Sequence, residues 1–332
     1  MRRVLLGRLG GALLVLLSLV TIVFLLRMAV RADPVKVRLG ANASQQAVER
    51  ERHRLGLDRP MTVQFISYLG GVAHGDLGES LHTRRAVRDD IADFLPATLE
   101  LAAAAGALAV TGGMLLGVVG AIARWGAGML RLLFVAGASA PTFLIGLLLI
   151  YVFYQRLGWL PATGRTSLHD APAGPTGLVL VDSLLHGRLD ALLDGAAHLV
   201  LPALCLALAP AAAVGRVLRS SLLDTYGADF VRTARAKGLH PRRILWRHAL
   251  RASLSAPLTM LGLQVGLLLA GVVVVETVFA WPGIGLYTVQ SIQAADFPSV
   301  AGVTLLLGTV YVLVNLAVDL AQTAADPRLR TA

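Results

Sequence analysis

The chain of 332 residues has one cysteine and two lysines, and both shortages exclude whole classes of site. Cys205 stands alone, so the chain forms neither an internal disulfide nor a cluster of thiolate metal ligands. A Walker A loop needs a glycine-rich run that ends in Gly-Lys-Ser/Thr. Lys36 lies in Val-Lys-Val and Lys237 lies in Ala-Lys-Gly, so neither belongs to such a loop. If ATP drives this protein, another subunit binds the nucleotide.

Catalytic motifs are also absent. The sequence contains neither HExxH nor GxSxG, which excludes a zincin metallopeptidase and an elbow-type serine hydrolase. An ion-coupled carrier usually holds ionisable residues at mid-membrane depth, whereas the acidic candidates Glu100, Glu276 and Asp319 lie at the edges of apolar runs. The first interpretation of these three residues is simple placement at helix ends. The alternative is that Glu100 pairs with basic groups of an outer loop and that Asp319 pairs with Arg216 or Arg219 near the inner face.

Long uncharged stretches dominate the chain. Hydrophobic residues make up 56% of it and charged residues 15%, which is the composition of a polytopic membrane protein and not of a soluble domain. About 20 apolar residues in helical form cross a bilayer. We therefore predict an all-α membrane protein with six transmembrane helices, at about 1–30, 101–123, 132–155, 195–215, 252–275 and 297–318.

The arginines of the short loops set the orientation of these helices. Placing both termini in the cytoplasm puts more than half of the 30 Lys and Arg residues on the cytoplasmic side. The net charge of +10 fits this topology and anionic lipid headgroups, and it does not call for a nucleic-acid partner. The predicted organisation is an N-terminal transmembrane helix (1–30), an extracytoplasmic cap (31–96) and a membrane core (97–332), which includes an outer loop (156–194) and a cytoplasmic loop (216–251).

The cytoplasmic loop contains DFVRTARAKG, whose pattern predicts a helix of about two turns. Asp229 suits the N-cap, Gly238 suits a left-handed stop, and Pro241 suits the first position of the next helix. Phe230 and Ala234 share a face, where the ring would anchor a partner protein and the small residue would let it approach. The alternative is a basic interfacial helix that lies on anionic headgroups. The candidate contact residues are Asp229, Phe230, Val231, Arg232, Thr233, Ala234, Arg235, Ala236, Lys237 and Gly238.

A second candidate site is the turn ETVFAWPGIGLY, just after the fifth predicted span. Trp281, Pro282, Gly283 and Gly285 make a tight turn there, and Glu276 precedes it at the span edge. Tryptophan is enriched at membrane interfaces, so one interpretation is an interfacial anchor followed by an outer loop. The other interpretation is a gate beside a translocation path.

The segment from Asp229 to Pro257 resembles the EAA-type coupling loop of ATP-binding-cassette importer permeases, in the form typical of the dipeptide/oligopeptide branch. The general pattern has a glutamate where this chain has Arg232 and an alanine where it has Thr233, while Ala234 and Gly238 match. The resemblance extends nearly end to end, through LGLDRP, GDLGESL, LPATLELA, SAPTFLIGLLL, LGWLPATG, HLVLPALCLAL, GLQVG, ETVFAWPGIG and ADPRLR.

This resemblance implies a binding-protein-dependent transport component of the bacterial inner membrane, with the type I importer permease fold. It implies a second, homologous permease subunit, an extracytoplasmic peptide-binding protein and two cytoplasmic ATPase domains, which hold ATP and Mg. The chain itself then binds no cofactor or metal and is not an enzyme. Di- or oligopeptides are the implied substrates, with nickel chelates, glutathione or oligosaccharides as alternatives. An ion-coupled secondary transporter is the more distant alternative.

Overall fold

The computed structural model describes residues 2–29, 44–54, 58–122, 140–170, 172 and 174–325. These ranges are mainly helical, and strand pairing within them is limited to one isolated bridge between Glu79 and Ala86. The helices are α1 (Arg2–Ala29), α2 (Gln45–Arg54), α3 (Met61–Ala73), α4 (Val87–Ile122), α5 (Thr142–Leu149) with a π-helical continuation (Ile150–Arg156), α6 (Val179–Leu185), α7 (Leu189–Tyr226), α8 (Asp229–Ala236), α9 (Pro241–Arg243) with a second π-helical segment (Ile244–Ala249), α10 (Leu250–Ser253), α11 (Ser255–Val278), α12 (Ile284–Gln293) and α13 (Phe297–Ala325).

Helices long and apolar enough to cross a bilayer match five of the predicted spans. They are Gly7–Leu26, Val87–Ile122, Leu189–Tyr226, Ser255–Val278 and Phe297–Val318. The predicted span 132–155 begins in residues 123–139, which lie outside the described residues, and its described part belongs to the apolar helix Thr142–Arg156. The all-helical, multi-pass membrane class is therefore confirmed.

Two of the spanning helices are longer than their apolar runs. α4 begins at Val87 and α7 begins at Leu189, both before the predicted starts near residues 101 and 195. In α4 the first turn carries Asp89 and Asp90, whose charges favour the positive end of a helix but end an uncharged run. Hydropathy therefore predicts only the apolar part of each helix, which suits the lipid. The helix extends beyond this part because its first turn has residues that favour a helix end.

One compact unit comprises Met1–Leu95 and Tyr287–Leu313. In it, Phe24 of α1 packs edge-on against Phe65 of α3, with ring centroids 5.2 Å apart. Val20 and Val23 of α1 form a buried cluster with Leu305 of α13. The N-terminal helix is thereby attached to α3 and to α13.

The second unit comprises Pro96–Leu286 and Val314–Ala332, and its core lies between α4, α7 and α11. Glycines allow α4 and α7 to approach closely. A Cβ at Gly113 would lie 2.9 Å from the Cβ of Val214, and one at Gly117 would lie 2.8 Å from the Cβ of Leu218. Small residues at such positions let membrane helices pack backbone to backbone.

Candidate functional site

Helix α8 starts one residue earlier than the sequence predicts. Ala228 has an extended backbone (φ −71°, ψ 149°) and provides no side-chain cap, so Asp229 is the first helical residue. The predicted N-cap role of Asp229 is therefore wrong. Its carboxylate lies 3.4 Å from the guanidinium of Arg232, one turn on, and it still favours the positive end of the helix.

One face of α8 packs against its own chain. Val231 is fully buried and Ala234 is nearly so, and both form an apolar cluster with Ile244 of the second π-helical segment. The predicted shared face of Phe230 and Ala234 is therefore not a surface offered to a partner, because Ala234 is already covered. Sequence spacing placed these two residues together but did not reveal that the next segment folds back over one of them.

The end of α8 follows the predicted chemistry. Gly238 has φ +73°, a left-handed conformation that glycine adopts without strain, and its N–H donates to the carbonyl of Arg235 at 2.9 Å. The imidazole of His240 accepts from the backbone N–H of Arg242, and Pro241 starts the next helix. The helix is thus bracketed by two fixed turns.

The opposite side of α8 is open. The ring of Phe230 is 48% exposed, a large fraction for an aromatic residue. The guanidinium of Arg235 lies 5.7 Å from the ring centroid of Tyr226, a cation–π geometry that ties this side chain to the end of α7. The exposed residues of the predicted contact set are Asp229, Phe230, Arg232, Thr233, Arg235, Ala236, Lys237 and Gly238.

The segment after α8 is fixed to α7. Leu245, Ala249 and Leu250 form a buried cluster with Leu218 and Leu222 of α7. The hydroxyl of Ser253 also donates to the carbonyl of Ser221 at 3.1 Å. Packed side chains therefore connect α8, through the segment that follows it, to a spanning helix.

The second candidate site centres on Glu276, which is fully buried at the end of α11. Its Oε1 accepts from the hydroxyl of Thr98 at 2.6 Å, and its Oε2 accepts from the backbone N–H groups of Gly285 and Leu286 at 2.6 and 3.1 Å. The Thr98 oxygen accepts in turn from the N–H of Ile284 at 2.7 Å. Glu276 and Thr98 thus cap the first N–H groups of α12, where a negative charge is also favoured by the helix dipole.

Most of the other residues of this turn are buried close to the Glu276 side chain. Trp281 is fully buried and its indole N–H donates to the carbonyl of Ala97 at 2.9 Å, so it is not a lipid-facing anchor. A Cβ at Gly283 would overlap the carboxylate of Glu276 and the hydroxyl of Thr98. Gly285 is likewise packed against the backbone of α11, while Pro282 is exposed.

Glu100 pairs with a basic group of the loop 156–194, in agreement with the alternative interpretation of its position. Its Oε2 accepts from Arg165 at 2.6 Å, and its Oε1 accepts from the backbone N–H of Leu180 at 2.8 Å. Arg165 also donates to the carbonyl of Gly177 and lies over the Trp281 ring at 5.9 Å. This buried ion pair holds the loop against α4.

Breaking this pair should destabilise the protein strongly. Arg165→Ala leaves the Glu100 carboxylate buried without its charged partner, and we expect a loss of about 3–5 kcal/mol in unfolding free energy. Thermal unfolding in detergent measures the loss, and the exposed pair Arg188 and Asp190 supplies the control, since Arg188→Ala should change little. Equal effects of the two alanine variants would show that the buried pair has no special role.

The predicted pairing of Asp319 involves a residue near the end of α13. Its side chain lies outside the part of the chain that the structure describes, so its pairing with Arg216 or Arg219 stays a prediction. Arg219 donates to the carbonyl of Gly120 at 3.0 Å.

A polar cluster at the start of α13 has no counterpart among the sequence predictions. Asp296 is buried and accepts from the hydroxyls of Ser80 and Ser299, at 2.5 and 2.8 Å, and from the N–H of Leu81 at 3.1 Å. The hydroxyl of Tyr287 lies within hydrogen-bond distance of Asp90 and of Ser299, at 3.0 and 2.8 Å. The signal was present, because an Asp directly before a helix-starting Phe-Pro-Ser predicts an N-cap.

The Asp296 cluster predicts acid sensitivity. Burial alone would raise the pKa of Asp296, but the hydrogen bonds from Ser80, Leu81 and Ser299 bring it below its ordinary value of 3.8. A carboxyl whose native pKa is lowered contributes stability above its unfolded pKa and loses it as the pH falls through the native pKa. We expect Asp296→Asn to remove part of the stability loss that occurs below about pH 4. Melting temperatures of both proteins across pH 3–7 in detergent would show this, and parallel curves would contradict it.

Comparison with known proteins identifies the class. A family model described as "Binding-protein-dependent transport system inner membrane component" matches residues 113–331, and a model for the N-terminal part of such components matches residues 1–102. The chain therefore belongs to the family of inner membrane components of binding-protein-dependent transport systems. It is a non-catalytic, multi-pass subunit of an importer.

Its similar relatives are permease proteins. The di/tripeptide transport system permease protein of Pseudomonas aeruginosa is 42% identical over 97% of both chains. The probable D,D-dipeptide transport system permease protein of Escherichia coli is 42% identical over 97% of this chain and 96% of that protein. The glutathione transport system permease protein of Escherichia coli is 36% identical over 97% of both. Among solved structures, a chain of the inward-facing MetNI methionine ABC transporter has a TM-score of 0.47 at 16% identity, covering 72% of this chain and 95% of that one.

Proposed function

We propose that this chain is a permease subunit of an ATP-driven importer of di- or oligopeptides and forms half of its translocation pathway. The observation that carries the docking part is α8, one face of which is fixed to its own chain while the other exposes Phe230 among basic side chains. The peptide class is supported by relatives named for dipeptide and di/tripeptide transport. A relative named for glutathione keeps that peptide-like substrate as the second candidate.

The docking surface is the exposed side of α8. An exposed aromatic ring that enters a pocket is a common anchor of protein interfaces, and flanking basic groups add orientation and association rate. We place this surface on the cytoplasmic side, where an ATPase subunit receives Phe230. Because Val231 and Ala234 are held by Ile244, the helix enters the interface already ordered, so little further ordering of its backbone is needed.

Movement of the ATPase subunits then reaches the membrane through a rigid connection. Leu245, Ala249 and Leu250 follow α8 and pack against α7. This packing is the path by which displacement of α8 tilts a spanning helix. At the far end, Glu276, Trp281, Pro282, Gly283 and Gly285 form a fixed link between α11 and α12. We assign this turn to the outer closure of the half-pathway as a rigid part that moves with α11.

The remaining partners follow from the family. A second, homologous permease completes the pathway, and two ATPase domains hold the ATP and Mg. An extracytoplasmic binding protein delivers the peptide. We assign residues 31–96 to the cap that meets this binding protein and residues 97–332 to the permease core. The loops 156–194 and 216–251 lie on the outer and the cytoplasmic side of that core.

Purification of the chain from its native membrane in mild detergent tests the proposal. We expect a second permease and ATPase subunits to co-purify, and we expect ATP hydrolysis to rise when binding protein and dipeptide are added together. Hydrolysis that responds to glutathione but not to dipeptides would replace the substrate. A chain that purifies alone and transports without ATP would contradict the whole assignment.

A further inference from the structure

A half-open cavity of about 350 Å³ lies in the unit that contains α7 and α11. Its volume falls at the lower end of the range of ligand pockets and leaves room for a large side chain. Its walls include Gly106 and Ala109 of α4, Pro210 of α7, Gly262 and Gln264 of α11, and Val318 of α13.

Small residues keep this space open. A Cβ added at Gly106 would meet no atom within 4 Å, so the wall of α4 is set back from its neighbours at this point. Pro210 lies within α7, where its ring interrupts the regular backbone hydrogen bonding. The small residues of its walls therefore leave a groove that is partly open to the surroundings of the chain.

Gln264 is the one polar side chain among the described residues that line the cavity, and it is 5% exposed. Among the hydrogen bonds of the described residues none involves its amide, and Gln264 is the polar group of the otherwise apolar wall. An amide offers one acceptor and two donors, which is the complement of a peptide group. A lipid acyl chain would fill the apolar space but would leave the amide unpaired.

We propose that this cavity is a subsite for the transported peptide, in which an apolar side chain of the peptide fills the space and Gln264 bonds to its backbone. This assignment rests on the proposed import of peptides. It adds a substrate preference that belongs to the permease and not to the binding protein. Large apolar side chains of the peptide contact the cavity walls, whereas an alanine side chain does not reach them. Because the backbone contact is generic, the subsite selects by side-chain size.

A photoreactive dipeptide tests the location on the assembled importer in nanodiscs. The peptide carries a diazirine on an aliphatic side chain, is delivered by the binding protein with ATP, and is cross-linked by light. We expect adducts within 106–110 or 258–268. Adducts confined to other parts of the chain would overturn the subsite. The subsite would also be overturned if phospholipid still covered these segments when peptide is present.

Two substitutions test the chemistry in the same assembly. Gly106→Leu occupies part of the cavity and should reduce transport of Leu-Leu about tenfold relative to Ala-Ala, whereas Ala107→Leu, on the exposed face of the same helix, should leave this ratio unchanged. Gln264→Met keeps the length of the side chain but removes the hydrogen bond, so transport of both peptides at subsaturating concentration should fall about five- to tenfold.

The outcomes separate this inference from the proposed function. Peptide transport by the original chain with no change in either variant overturns the subsite alone. An equal loss for both peptides in Gly106→Leu also overturns it, since a purely structural role would not depend on side-chain size. No peptide transport by the original chain overturns the proposed function as well.

Discussion

Phe230→Ala should abolish ATP-driven transport while leaving the protein inserted in the membrane. Truncation of a central aromatic anchor typically costs 2 kcal/mol or more of binding free energy, which weakens ATPase docking at least about 30-fold. The ring is 48% exposed and makes no part of the buried cluster of Val231, Ala234 and Ile244, so the fold of α8 should survive. Pull-down of ATPase subunits and uptake of labelled dipeptide measure the effect.

The matched control is Leu223→Ala on the neighbouring helix α7. Leu223 is also a large apolar residue, with 44% of its surface exposed, but it lies outside α8. We expect it to keep both ATPase binding and transport. Full activity of Phe230→Ala, or an equal loss in both variants, would contradict docking through this ring. Ala234 is a poorer test position, because a bulky residue there would first disrupt the packing on Ile244.

Glu276→Leu should give the largest loss of stability. It removes the acceptor for Thr98, Gly285 and Leu286, all of which are bonded to the carboxylate in a buried site. Each buried donor left without a partner costs about 1–3 kcal/mol, so for three donors we expect a total of about 3–9 kcal/mol and little folded protein. Fluorescence-detected size exclusion and melting temperature in detergent would show this.

Conservative and steric variants make this second prediction specific. Glu276→Gln keeps an acceptor oxygen and should retain much of the stability, which separates hydrogen bonding from side-chain size. Gly283→Ala should destabilise as well, because its Cβ overlaps Glu276 and Thr98, whereas Gly70→Ala, with nothing within 4 Å, should be neutral. Equal stability of Glu276→Leu and Glu276→Gln would show that the carboxylate does not hold α12.

Much of the architecture follows from local chemistry in the sequence. Apolar runs predicted the multi-pass helical class, and Gly238 and Pro241 predicted the end of α8 and the start of α9 because their backbone preferences are intrinsic. The pairing of Glu100 with a basic group of an outer loop was the alternative interpretation of its place at a span edge. Such predictions depend on what a residue does in its own turn or at its own depth.

The contacts that were missed depend on residues far apart in the chain. Nothing near Glu276 in sequence shows that Thr98 would share the capping of α12, and nothing near Trp281 shows that Ala97 would receive its N–H. The burial of Ala234 likewise depends on Ile244, which returns over α8 after a turn. A single sequence carries periodicity along a helix but not the identity of the helix that covers it.

Labelling of a cysteine placed on α8 is the most direct test of the docking assignment. Cys205 is buried, so in the variant Thr233→Cys a maleimide reagent should react at the exposed surface of α8. In inverted membrane vesicles we expect rapid labelling of the chain alone and strong protection when the ATPase subunits are co-expressed, with no labelling in intact spheroplasts. Labelling that is equally fast with and without the ATPase subunits, or labelling from the outside, would contradict a cytoplasmic docking helix.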